Sequence, residues 1–237
     1  MIKPLLFKGL PIALLALVLD LAVTTGTSAT TATPHIGGRN LDAASSAQPS
    51  PSNQTVTDYA ARVRTSDRKN IKGDAVATAS ATCDGCSGQA STVQILYLSG
   101  TGVARVDNVA AAWSQCSSCS SRAVSVQLVL LNSPATIVAN NRSLALNQAC
   151  TGCRSAAAAY QLVISNASWP LSSSLRTRLD QWAANQRAAL DTGPGVSSAD
   201  RLQANNQADD SLAGLQSLVT SQTGGKVVSK DAKVKLG

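Results

Sequence analysis

Six cysteines fall as three Cys-x-x-Cys pairs: Cys83/Cys86, Cys116/Cys119 and Cys150/Cys153. That spacing serves three chemistries. Oxidised, each pair closes a small disulfide loop. Reduced, two pairs supply the four thiolates of a tetrahedral zinc site. A single pair beside a helix N-terminus or a cation carries a reactive thiolate for disulfide exchange. Zinc ribbons separate their pairs by about 15–20 residues, whereas roughly 30 intervene here and three pairs leave one unused. Arg154 would lower the pKa of Cys153, but its counterparts are Ser87 and Ser120, so the feature is not general. Disulfides are therefore the first reading, with metal and redox use as the alternatives. Fifteen pairings exist for six cysteines; three equivalent units favour pairing within each Cys-x-x-Cys. In the chain-entropy model a loop this small contributes about 2 kcal/mol.

Other catalytic chemistry is poorly supplied. Between Cys83 and Ser165 the only charged residues are Asp84, Arg105, Asp107, Arg122, Arg142 and Arg154, and the single histidine, His35, lies far upstream. General acid–base catalysis needs a titratable group within reach of the proton, and serine or cysteine nucleophiles need an imidazole. No glycine-rich phosphate loop occurs. The expectation is a protein without catalytic residues or cofactor, disulfide exchange being the one enzymatic alternative.

The elements that must hold these cysteines follow from a repeat. The first cysteines lie 33 and 34 residues apart, and a glutamine follows each second cysteine by eight positions: Gln94, Gln127 and Gln161. Nine positions before each first cysteine stand Asp74, Asp107 and Asn141. Separated by parity, one set after the cysteines reads Ser91-Val93-Ile95-Tyr97, Val124-Val126-Leu128-Leu130 and Ala158-Tyr160-Leu162-Ile164. The other set begins small and carries glutamine third. Alternation of this kind belongs to strands, so each unit reads as strand, Cys-x-x-Cys turn, strand. The fold class expected is mainly β: three such repeats in an antiparallel sheet or sandwich, with "GTG" (100–102) as a hairpin connection. The glutamines suit a buried amide ladder better than a binding stripe. The small-residue face leaves room for another layer, such as the C-terminal helices. Those helices are expected within 169–220, with Leu175, Leu179, Trp182 and Leu190 on one and Leu202, Leu212, Leu215 and Val219 on the other, broken by "TGPG" at 192–195.

The remaining segments bound the setting. Residues 1–29 read as a secretory signal: Lys3 and Lys8, an apolar run from Leu10 to Leu19, then small residues to Ala29. The rival reading is an uncleaved membrane anchor, for which the run, interrupted by Asp20, falls short of the roughly 20 residues that span a bilayer. Cleavage would remove two lysines and one aspartate, taking the formal net charge from +7 to +6. Residues 30–55 ("SSAQPSPSNQT") read as a disordered Ser/Thr/Pro/Ala linker, residues 56–168 as the repeat domain, and 221–237 as a frayed basic tail. The positive balance favours an anionic polymer or envelope component as partner, and the absence of interleaved basic and aromatic residues argues against nucleic acid. Asn53, Asn141 and Asn166 head glycosylation sequons, relevant only in a host with that machinery.

The stretch "NNRSLALNQACTGCRSAAAAYQLVI" resembles a poorly characterised group of exported, actinobacterial-type proteins. Their repeats run Asn-x-Ala-x-Ala-x-Asn, Cys-x-x-Cys, Ala-x-Ala-x-Gln-x-Val. The likeness covers roughly residues 56–168 and is strongest through Asn141, Ala145, Asn147, Cys150, Cys153, Ala157, Ala159 and Gln161. It implies a repeat and an exported setting, and no activity. The function expected is that of a secreted, disulfide-stapled structural or adhesive repeat protein of the envelope or extracellular space. A redox protein or a cysteine-ligated zinc module is the alternative.

Overall fold

The computed structural model describes residues 41–190 and 197–237. The signal segment, the start of the linker and the break at 192–195 lie outside them. Nine strands and two helices follow one another as β1 (Ala43–Ala47), β2 (Thr55–Ser66), β3 (Asn70–Ala81), β4 (Ser87–Leu98), β5 (Val103–Ser114), β6 (Ser120–Leu131), β7 (Thr136–Asn147), β8 (Arg154–Ser165), α1 (Ser173–Ala189), α2 (Ser198–Thr223) and β9 (Lys226–Leu236).

The strands form two sheets, ordered β1-β3-β5-β7 and β2-β4-β6-β8-β9. From β1 to β8 no strand pairs with the next one along the chain. Each pairs in parallel with its equivalent one repeat away, as Gln94 does with Gln127 and Gln127 with Gln161. Only β9 runs antiparallel, against β8. The arrangement is a parallel β-solenoid-like coil, which corrects the expected antiparallel sheet or sandwich. The reason lies in the turns. The Cys-x-x-Cys loop and the Ser99–Gly102 connection each carry the chain from one sheet to the other, so neither is a hairpin, and backbone pairing waits a whole coil.

Two further corrections concern the ends. The linker expected over 30–55 contains β1, whose residues pair with β3 from Ala43↔Ala75 to Ala47↔Ala79. With β2 it forms an additional coil that lacks cysteine. Its low hydrophobicity is compatible with order because the interior at this level takes only small side chains, and Ala43, Ser45 and Ala47 are buried. The tail expected to fray forms β9, which covers the edge of β8.

Between the sheets the side chains lie in layers. In the half of the coil toward the cysteine turns is an alanine layer that includes Ala77, Ala79, Ala90, Ala110, Ala123 and Ala157. Farther along is a layer of Leu41, Ile71, Leu96, Leu98, Val106, Val129 and Leu131. The sheets therefore approach closely at the cysteine end. A Cβ on Gly88 would lie 2.5 Å from the carbonyl oxygen of Ser80, so this position has no room for a side chain.

The large-residue parity set faces the helices rather than the sister sheet. Val93, Ile95, Val126, Leu128, Leu130, Leu162 and Ile164 join Leu175, Leu179, Leu212, Leu215 and Val219 in the largest core cluster. This reverses the expectation that the small face would receive the helices. Burial of such side chains contributes roughly 1.5–3 kcal/mol each. Ser172 caps α1 by accepting from the Leu175 amide at 3.1 Å, and Ser197 with Asp200 forms a capping box on α2. Trp182 meets Tyr160 edge-on at 4.8 Å between ring centres, and Trp169 stacks on Tyr97 at 4.8 Å. Leu202, expected on the buried side of α2, is 65% exposed.

Candidate functional site

The cysteines occupy one edge of the coil. Disulfides join Cys83 to Cys86, Cys116 to Cys119 and Cys150 to Cys153, with Cα separations of 5.3, 5.9 and 5.6 Å, within the range a bridge requires. The third residue of each turn, Gly85, Ser118 or Gly152, has φ of 69°, 53° or 68°. Two of the three turns accordingly place glycine there, where a left-handed backbone carries no Cβ penalty. The turns stack through backbone bonds: Gly85 N donates to Ser117 O at 2.9 Å and Ser118 N to Thr151 O at 2.8 Å. Stacking brings Cys119 Sγ within 3.2 Å of Cys153 Sγ.

The sulfurs of Cys116, Cys119 and Cys153 all lie within 4.8 Å of one another. Metal ligation requires thiolate, so these atoms would hold a soft cation only after reduction of their disulfides.

The glutamines form a continuous ladder between the sheets. Gln161 Nε2 donates to Gln127 Oε1 at 2.6 Å, and Gln127 Nε2 to Gln94 Oε1 at 2.6 Å. Each Nε2 also reaches carbonyls of the opposite sheet: Gln94 those of Leu41 and Asp74, Gln127 those of Gly73 and Asp107, Gln161 those of Val106 and Asn140. All three side chains are buried. The amides tie the two sheets together, and an amide does not titrate near neutral pH.

Of Asp74, Asp107 and Asn141, equivalent by counting back from the cysteines, the first two are brought side by side and Asn141 is not. The register pairs Asp74 with Asp107, and Asp107 with Asn140, while Asn141 pairs with Asn108. One extra residue, Ala149, sits in the third turn with φ of 49°, and shifts the count by one. In a strand that shift reverses the face. Asp74 and Asp107 lie on the outer face of the sheet β1-β3-β5-β7: the Asp74 amide donates to Asp42 Oδ1 at 2.9 Å, Asn140 Nδ2 to Asp107 Oδ1 at 2.6 Å, and Lys72 bridges Asp74 at 3.0 Å. Asn141 points inward and donates from Nδ2 to Ala159 O and Asp231 O, each at 2.9 Å. Its amide nitrogen is thus held within the fold at the sequon position.

Two polar layers escaped the sequence reading. Asn108 donates to Ser125 O, Asn141 Oδ1 and Tyr160 O, and accepts from the Ser125 hydroxyl at 2.6 Å. Ser114, Ser121 and Ser155 form a hydroxyl cluster with mutual distances of 2.9–3.0 Å. Their signal was the 33-residue recurrence itself, which links Asn108 with Asn141 but needs the extra residue at 149 to be recognised.

Among the described residues, two grooves open to solvent bear on binding. On the outer face, Trp113 lies beside Leu144 and Leu146 with Ser46, Thr78 and Ser80 around them. At the C-terminal end of the coil, a groove reaches from the outer face of β5, at Val109 and Ala111, across β7 at Asn141, Arg142, Ser143 and Leu144 to Lys233 and Lys235 of β9. The chain matches no family model, no curated protein and no solved structure.

Proposed function

We propose that this is an exported, disulfide-stapled repeat protein with a structural or binding role at the cell envelope or outside the cell, rather than an enzyme. The observation that carries the reading is the stack of three disulfides, one in each cysteine-bearing coil, along a single edge. Disulfides of this kind persist where thiols are oxidised and are rare in reducing compartments. The signal-like character of residues 1–29 and the resemblance to exported repeat proteins agree with it. Between the sheets, Gln94, Gln127, Gln161, Asn108 and the Ser114–Ser121–Ser155 cluster are engaged with one another and with backbone, the chemistry of a rigid scaffold. The positive net charge supports an anionic envelope component as partner, and no helix among the described residues is long and apolar enough to cross a membrane.

Expression in the natural host, followed by intact mass with and without reductant before alkylation, tests the reading. The expected result is protein outside the cytoplasm that takes up no alkyl group unless reduced. Six alkylated cysteines in unreduced, oxidatively harvested protein would reject it. A second reading, thiol–disulfide exchange, is favoured by the 3.2 Å contact between Cys119 and Cys153; turnover of a dithiol substrate by the purified protein would establish it.

A further inference from the structure

The two sheets end unevenly. Sheet β2-β4-β6-β8 gains β9, whereas β1-β3-β5 stops at β7, and no described strand pairs with the far edge of β7. A twelve-residue strand thus leaves one row of backbone N–H and C=O groups open, a template for strand addition. The wall of this step is β9. Lys233 pairs with Ala159 and Lys235 with Ala157, both inward-facing positions. The two lysines therefore project from the inner face of their sheet into the level where an additional strand beside β7 would lie. Both remain exposed, and Asn141 holds β9 against β7 through Asp231 O.

The groove's own groups describe what fits. Lys233 and Lys235 line it on the β9 side, while Arg142 stands with Leu144 on the outer face of β7; Asp231 is the acidic neighbour, bridged to Lys233 at 3.0 Å. The Ser143 hydroxyl is buried there with no hydrogen-bond partner. On the outer side of β7, Val138, Leu144 and Leu146 are 44%, 60% and 47% exposed, beside the outward side chains of any added strand. We infer that the open edge of β7 binds an extended acidic peptide segment of a partner protein, which adds as a further strand. Its alternate residues are acidic, facing Lys233 and Lys235, and the intervening ones apolar, against Val138, Leu144 and Leu146. Main-chain bonds supply affinity and the alternating side chains supply specificity. A second copy of this chain is a poorer occupant: the chain, lacking glutamate, has no described strand of alternating acids.

The test uses the full chain and a fluorescein-labelled twelve-residue peptide of alternating aspartate and valine. Binding is followed by anisotropy, with folding checked by circular dichroism. Saturable binding is expected, weakened about tenfold or more by Lys233→Ala with Lys235→Ala, two exposed positions. Methylating the backbone nitrogens of every second residue in one phase should abolish binding, and in the other phase leave it intact. Absence of binding, equal binding of a lysine–valine peptide, or indifference to both methylation phases would overturn the proposal. So would an anionic polysaccharide that competes fully and shows the same lysine dependence, because the site would then be a plain anion surface.

Discussion

Gln127 and Gln94, one repeat apart, are joined by a hydrogen bond of 2.6 Å, donated by Gln127 Nε2 to Gln94 Oε1 in the buried space between the sheets. The same Nε2 reaches the carbonyls of Gly73 and Asp107 in the opposite sheet. One side chain therefore connects neighbouring coils and both walls. Its replacement leaves several buried acceptors without a donor, and the cost of such groups is about 1–3 kcal/mol each.

Gln127→Leu should consequently destabilise the fold by about 3–5 kcal/mol in urea unfolding. Gln127→Glu is the sharper test. A carboxylate cannot donate to Gln94 Oε1, and burial raises the pKa of a carboxyl above its unfolded value of about 4.3. The unfolded state then releases its proton first as pH rises. The penalty relative to the native sequence should be smallest below about pH 4 and grow toward pH 7. A pH-independent difference would show that the amide donates nothing essential.

The contact between Cys119 Sγ and Cys153 Sγ, 3.2 Å, makes a prediction about exchange. Cys116→Ala leaves Cys119 as a thiol. Its thiolate can attack Cys153 Sγ, forming the 119–153 bond as the 150–153 bond breaks and the electron pair leaves on Cys150 Sγ. The two residues precede the paired Ser120 and Arg154 on adjacent strands, about 4.8 Å apart by strand spacing, which is compatible with a bridge. Peptide mapping after alkylation at neutral pH should find the free thiol on Cys150. Label confined to Cys119 would show that the coils do not exchange.

How far the sequence reveals this molecule depends on what repeats. The cysteines and glutamines, identical in three units, exposed the strand–turn–strand motif and the amide ladder. Sheet topology was illegible because alternation in Ser91–Tyr97 specifies two faces without specifying the pairing partner. A hairpin and a sheet-changing corner demand the same small and polar residues. β1 was hidden because its buried side chains are only Ala43, Ser45 and Ala47, a composition shared with linkers. Asn141 was matched with Asp107 rather than with its true partner Asn108 because a single inserted residue, Ala149, shifts the count and, in a strand, the parity. β9 was hidden because its exposed lysines mask Val234 and Leu236, which do join the core.

Ser118 offers a gain. It holds φ of 53° where its equivalents are Gly85 and Gly152, and a side chain in that region is disfavoured by about 1 kcal/mol. Ser118→Gly should raise stability by several tenths of a kcal/mol, offset in part by the greater freedom of the unfolded chain. Gly152→Ala should lower it by about 1 kcal/mol. Thermal unfolding of the oxidised proteins measures both. A loss in Ser118→Gly would indicate that its hydroxyl supports the stacked turns more than its backbone strains them.

Tyr160 supplies a pH dependence. Burial pushes its phenol well above the ordinary value, and its hydroxyl donates to Gln186 Oε1 at 3.0 Å on α1. The native state keeps this proton while the unfolded chain releases it above about pH 10. The unfolded state then binds fewer protons, so stability falls as pH rises past that value and is unaffected well below it. Tyr160→Phe removes this titration. Its unfolding free energy should decline less steeply above about pH 10, by close to 1.4 kcal/mol per pH unit. At neutral pH the variant loses only one hydrogen bond, about 1 kcal/mol. Tyr59 is raised in the same direction, by burial first and then by its bond to the Asp180 carboxylate, so a residual alkaline decline should persist in Tyr160→Phe and shrink further on Tyr59→Phe. Identical slopes in all three proteins, read from urea unfolding between pH 9 and 11.5, would show that the helices do not seal these phenols against the sheet.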